Sequence, residues 1–155
     1  MPSFLAQSHN DIEFLLLDQE DGVWSAAEFL EEKFGLSEDS RFTIEKGPNL
    51  WHSGGMNKLA SKATGDIVVI ASNDMHYPKD FFSNIAQHVK DSKSQVFCPI
   101  LCRWDYENNQ TLTKEIDTIG INFDRKLYFF EPYSGQQLAQ TSIPEFVDGP
   151  NGALA

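Results

Sequence analysis

The chain has 155 residues, 41% of them hydrophobic, and carries 12 basic against 23 acidic side chains, a formal charge of −11. A single domain over residues 1–155 with a real core fits that length and composition, and no apolar run approaches the ~20 residues of a membrane helix. The acidity argues against nucleic-acid binding, which needs a basic face, but leaves room for a small phosphorylated ligand, because one local cation or metal ion reverses the field.

No cationic, cleavable leader stands at Met1. Cys98 and Cys102 are too few for a metal site and read as small reduced core residues. Both observations point to a cytoplasmic location.

Residues 1–10 read as the end of a helix, with Phe4 and Leu5 apolar, followed by a polar break from Ser8. A buried strand is expected over 12–17, ending in the acid-rich Asp18, Gln19, Glu20 and Asp21. Residues 24–34 have helical spacing, with Trp24, Ala27, Leu30 and Phe34 on one stripe and Gly35 as the stop. Phe42 and Ile44 alternate as a short strand over 41–45, and Gly47-Pro48-Asn49 is a turn. Ser53-Gly54-Gly55 then precedes a helix over 56–63.

Residues 65–78 are the most informative stretch. Ile67, Val68, Val69 and Ile70 are apolar at successive positions, as in a parallel strand buried on both faces. The run stops at Ser72-Asn73-Asp74, and Pro78 opens an amphipathic helix over 78–90. A further strand is expected over 95–101. This β-α-β alternation predicts an α/β fold with a mostly parallel, doubly wound sheet. In the last third, 104–114 is polar and loop-like, 116–121 and 127–130 read as short antiparallel strands, and 132–144 is turn-rich.

Two carboxylate groups therefore fall just past strand ends, where open α/β sheets bind ligands. Asp74 could hold one face of a divalent ion, with a ligand's diphosphate completing the shell; it could equally cap the next helix. Asp18, with Glu20 and Asp21, could accept N–H bonds from a base or hold ribose hydroxyls, or simply solvate a loop. Gly54 and Gly55 allow close backbone approach, Asn57 lies on the helix that follows, and Lys46 and Lys58 are the nearby cations for phosphate. His52 and His76 lie close by and read more simply as surface or core residues. No Walker loop, Gly-x-Ser-x-Gly elbow or His-Glu-x-x-His motif is present.

These features together resemble family 2 glycosyltransferases, the inverting enzymes of GT-A (Rossmann-like) fold. The resemblance rests on Ser3-Phe4-Leu5-Ala6-Gln7, Glu13 to Asp18 in Glu-x-x-x-x-Asp, Asn49, Asn57, Ala63-Thr64-Gly65-Asp66 and Ser72-Asn73-Asp74 in place of Asp-x-Asp. Ile116-Asp117-Thr118-Ile119-Gly120 and Asp148-Gly149-Pro150-Asn151-Gly152-Ala153 resemble the late segments of sugar-transferring members. The resemblance implies a nucleotide-diphosphate sugar as donor and a glycan, lipid or protein hydroxyl as acceptor. It implies that Asp18, Glu20, Asn49, Asn57, Ser72 and Asn73 contact the donor, and that Asp74 holds Mn²⁺ or Mg²⁺ on the diphosphate. Asp148, or Asp105, is the candidate base.

The chain also departs from the family pattern. Ser72 replaces the first acid of the metal motif. The family's first strand and C-terminal portion have no counterpart, so an open sheet edge is expected, covered by the chain's own tail or by another copy in a homo-oligomer. An active transferase and a non-catalytic binding module both remain open at this stage. An unrelated nucleotidyltransferase would want a basic, glycine-rich loop that is not seen.

Overall fold

A computed structural model describes residues 1–20, 25–105, 107 and 111–152. The chain divides into two compact units, the first made of Met1–Val68 with His76–His88 and the second of Val69–Met75 with Val89–Ala155.

The first unit is built on a β-α-β crossover. Strand β1 (Phe14–Glu20) pairs in parallel with β2 (Phe42–Pro48), in a register running from Phe14 opposite Phe42 to Glu20 opposite Pro48. Helix α2 (Ala26–Phe34) joins them; α1 (Pro2–Leu5) precedes β1, and α3 (Trp51–Ala60) and α4 (Phe81–Asp91) follow β2. The limits of α2 follow from local chemistry. The Ser25 hydroxyl accepts the N–H of Glu28, and Gly35 ends the helix at φ 60°, a left-handed conformation that glycine adopts without a Cβ clash. Trp24, assigned to this helix stripe from its spacing, and Asp21 lie outside the described residues.

The core of this unit is aromatic. The Phe14 ring lies 5.4 Å from Phe4, 4.6 Å from Phe42 and 5.9 Å from Phe82, and Phe4 lies 4.7 Å from Tyr77. Each such pair adds about 0.5–1.5 kcal/mol beyond the area it buries. Gln7 lies buried beside this cluster. Its amide Nε2 donates to the carbonyls of Ser3 and Pro78, both at 2.8 Å, and its Oε1 accepts the N–H of Phe82 at 3.4 Å.

The second unit holds two small antiparallel sheets. Strand β3 (Leu101–Asp105) pairs with β4 (Thr111–Thr118), and β5 (Asn122–Phe123) pairs with β6 (Phe129–Phe130). Ile116, Thr118 and Ile119 are buried here. Gly120 stands at φ 112°, and a Cβ on it would come 2.7 Å from Val147 Cγ2 and 2.8 Å from the Gly149 carbonyl. Only glycine fits there, because Ile121 and Gly149 exchange backbone hydrogen bonds at 2.8 and 3.1 Å.

Several expectations are corrected. The protein is α/β, with one two-stranded parallel sheet; a larger doubly wound sheet is not formed among the described residues. No strand forms over 65–74, where Ile67 and Val68 are exposed. A β-branched run becomes a strand only where a neighbour completes its ladder and covers its faces; here only an isolated bridge forms, at Ala71, and among the described residues the β1–β2 pair takes in no third strand. The stretch expected as a loop over 104–114 instead contributes to β3 and β4: Trp104 pairs with Leu112, and Thr113 Oγ1 donates to the Arg103 carbonyl at 2.8 Å. The expected strand over 95–101 begins only at Leu101, and β2 continues through Gly47 to Pro48.

Candidate functional site

Asp18 is the fifth residue of β1, opposite Lys46 in the ladder, with 7% of its surface exposed. Its Oδ2 accepts the Ser25 hydroxyl and the Ala27 N–H, each at 2.9 Å. Burial on its own pushes this carboxyl up. The bonds from Ala27, Ser25 and Ala26, with the charge of Lys46, outweigh burial and hold it below the ordinary aspartate value. The result is a buried, ionised carboxylate at the N-terminus of α2 and the carboxyl end of a parallel strand pair. Glu20 ends the same strand, but its side chain lies outside the described residues.

The end of β2 lies beside it. Gln19 Oε1 accepts the N–H of Leu50 at 2.7 Å, and Asn49 Oδ1 accepts the N–H of Trp51 at 2.8 Å. Gly55 is buried, and a Cβ on it would meet the Gln19 amide at 3.2–3.3 Å, so this glycine lets α3 close onto Gln19. The Gly54-Gly55 pair thus lies inside α3, which starts at Trp51, five residues earlier than its spacing predicts. Trp51 stands at φ 59° with its side chain 79% exposed. Asn57 is exposed on α3, and His52 and His76 are exposed as well.

The lysines expected for phosphate make ion pairs. Lys46 pairs with Glu28 at 2.8 Å, and Lys58 and Lys62, one helical turn apart, share the carboxylate of Glu45. Those two lysines hold the Glu45 carboxyl below its ordinary value. Glu13, at the opposite end of the Glu-x-x-x-x-Asp segment, accepts the N–H of Thr64 at 2.6 Å and its hydroxyl at 2.9 Å. This carboxylate therefore fixes the Ala63-Thr64-Gly65 turn.

The remaining candidates belong to the second unit. Ser72 is half-buried, and Asn73 and Asp74 are exposed in a turn. No group of three or more His, Cys, Asp or Glu able to hold a metal occurs among the described residues. A single carboxylate such as Asp74 takes part in holding Mg²⁺ or Mn²⁺ only where substrate phosphates and water supply the other ligands. Asp148 Oδ2 accepts the N–H of Phe123 at 2.8 Å, and its own N–H donates to Asn122 Oδ1 at 3.1 Å. Asp105 Oδ1 accepts the N–H of Glu107 at 3.1 Å. Cys98 and Cys102 are free thiols, and burial with the charge of Asp117 raises the Cys102 thiol.

Within the first unit, then, the ladder brings Asp18 and Asn49 to one strand end. Within the second, Gly120 and Gly149 join the two late segments. Gln7 and Glu13 stand in the motifs that carry the family resemblance, and Gln19 in the polar end of the first strand, but none was assigned a role there; the structure gives each one a framework bond.

A sequence model described as Glycosyl transferase family 2 matches residues 2–147, nearly the whole chain and both units. The chain belongs to glycosyltransferase family 2. Neither a search of characterised proteins nor one of solved structures returned a match. Family membership brings glycosyl transfer as the general chemistry, a nucleotide sugar and an acceptor as its general partners, and the GT-A fold class. No helix among the described residues of this family 2 chain is long and apolar enough to cross a membrane.

Proposed function

We propose that the chain is a cytoplasmic, metal-assisted glycosyltransferase that moves a sugar from a nucleotide-diphosphate donor to an acceptor hydroxyl. The observation that carries this reading is Asp18: an ionised, nearly buried carboxylate at the carboxyl end of parallel strands, in a chain of this family. In this reading the roles are assigned by family resemblance: Asp18 and Glu20 to the base or ribose, and Asn49, Asn57, Ser72 and Asn73 to other parts of the donor. Asp74 holds Mn²⁺ or Mg²⁺, which when bound supplies Lewis-acid stabilisation of the departing diphosphate. Asp148 takes the proton of the acceptor hydroxyl as it attacks the anomeric carbon from the opposite face.

Calorimetric titration with nucleoside diphosphates, with and without Mn²⁺, tests this directly. Metal-dependent binding that loses its metal dependence in Asp74→Ala is the expected result. No binding under either condition, or binding unchanged in that variant, overturns the reading.

A second reading is a nucleotide-binding module without transfer. It is favoured by Ser72 in place of an acid and by the pairing of Lys46 and Lys58 within the protein. Release of free nucleoside diphosphate from donor sugars in the presence of acceptors separates the two.

A further inference from the structure

Asn151-Gly152 is the only asparagine–glycine step in the chain. With no Cβ on the second residue, its backbone nitrogen comes close to the side-chain amide carbon of the first, and a reaction within the chain gains from that proximity. The two partners of this step are held very differently.

The nucleophile is Gly152. It is exposed in a turn, and a Cβ placed on it would meet nothing within 4 Å. Among the described residues its N–H has no acceptor. This peptide can therefore turn its nitrogen toward Asn151 without breaking a bond or displacing a neighbour.

The electrophile is the side chain of Asn151, which is half-buried and tied down. Its Nδ2 donates to Glu131 Oε1 at 2.6 Å, a short bond to an acidic side chain. That bond holds the amide at Glu131 and must open before a ring closes.

The neighbouring Asp148-Gly149 step is open to the same cyclisation in principle, but both of its partners are engaged. The Gly149 N–H donates to the Ile121 carbonyl at 3.1 Å, and Asp148 Oδ2 accepts the Phe123 N–H at 2.8 Å. Of the two steps, Asn151-Gly152 is the one whose backbone nitrogen is available.

We propose that Asn151 is a site of spontaneous deamidation through a cyclic imide with Gly152, and that Glu131 restrains it. The Gly152 nitrogen loses its proton to water and bonds to Asn151 Cγ. The Cγ–Nδ2 bond breaks, and Nδ2 leaves as ammonia. Water then opens the imide at either carbonyl, giving aspartate or isoaspartate at position 151. The new carboxylate meets the carboxylate of Glu131 where a donor stood, so the contact turns from attraction to repulsion in a chain already at −11. This inference does not depend on whether sugar transfer occurs.

The test is storage of the full chain in mildly alkaline buffer, with peptide mapping by mass spectrometry over time. The peptide holding Asn151 is expected to gain the mass of an amide-to-acid change ahead of those holding Asn49, Asn73 and Asn122, as a mixture of isoaspartate and aspartate. Gly152→Ala slows the change about tenfold or more, and Glu131→Ala speeds it about threefold or more. Both substituted residues are exposed, and circular dichroism confirms that the variants fold. An intact Asn151 after the other asparagines have reacted overturns the proposal, as does aspartate formed without isoaspartate, or a rate that Gly152→Ala leaves unchanged. An equal or slower rate in Glu131→Ala, or isoaspartate arising first at position 148, overturns it as well.

Discussion

The carboxylate of Asp18 accepts the backbone N–H of Ala27 at 2.9 Å, so the strand-end acid that the family reading places at the nucleotide also anchors the start of the next helix. The two roles are compatible. The helix N-terminus keeps the carboxylate ionised in a place where burial alone would favour its neutral form.

Asp18→Asn therefore lowers stability as well as ligand affinity. Loss of a charge-assisted anchor is expected to remove about 1–3 kcal/mol at neutral pH, with roughly 2–4 °C of melting temperature per kcal/mol at this chain length. The sign of the pH dependence follows from the lowered carboxyl. Its contribution is complete above the unfolded value near 3.9 and is lost as pH falls through the lower folded value. The gap between parent and variant is expected to narrow below about pH 4, as read from urea unfolding at a series of pH values.

Gly120→Ala is expected to be far more damaging than Gly149→Ala. At position 120 the new methyl meets Val147 and the Gly149 carbonyl inside 3 Å at φ 112°; at position 149 the nearest atom is an Ile121 side-chain carbon at 3.3 Å. The first change should cost about 3 kcal/mol or more and the second about 1 kcal/mol. Chemical denaturation of both variants decides it. Equal losses would mean that Gly120 is not locked in place.

Gln7→Ala removes the amide donor from the buried Ser3 carbonyl and from the Pro78 carbonyl, which keeps the N–H of Phe81, and should destabilise by about 1–3 kcal/mol. Gln7→Glu should be no better, because a carboxylate cannot donate to either carbonyl. Limited proteolysis near the N-terminus should accelerate in both variants. A resistant Gln7→Ala protein would show that the amide is not what holds α1.

Trp51→Asn is expected to raise the melting temperature by a few degrees. Asparagine tolerates the left-handed conformation that Trp51 holds at φ 59°, and little packing is lost from a side chain this exposed. A drop of several degrees would show that the indole carries structural load.

Much of the architecture was legible because its signals are local. Gly35 marks the end of α2 through cap chemistry, and Phe42 and Ile44 disclose β2 by alternation; the Ser25 cap at its start was missed, the spacing placing Trp24 in the helix. The failures share one cause. Whether Ile67–Ile70 forms a strand depends on a neighbour to pair with, and a β-branched run reads the same with or without one. Polar residues concealed the β3–β4 hairpin, because Arg103 bonding to Glu115 and Asp117 supports strands that carry little apolar content. In the site, Asp18 and Asn49 were visible as polar residues at element ends. Gln19 was not, since its role depends on a glycine, Gly55, that lies distant in sequence and close in space.

Gln7 bears on how distant relatives are compared. Every polar atom of its amide is used on the backbone of Ser3, Pro78 and Phe82, and none is left over for a sugar. A relative that keeps a glutamine at this position reports how its first helix is bolted to a later one. In this chain it is a framework residue, and a change there acts on the packing of α1 against α4 rather than on donor choice.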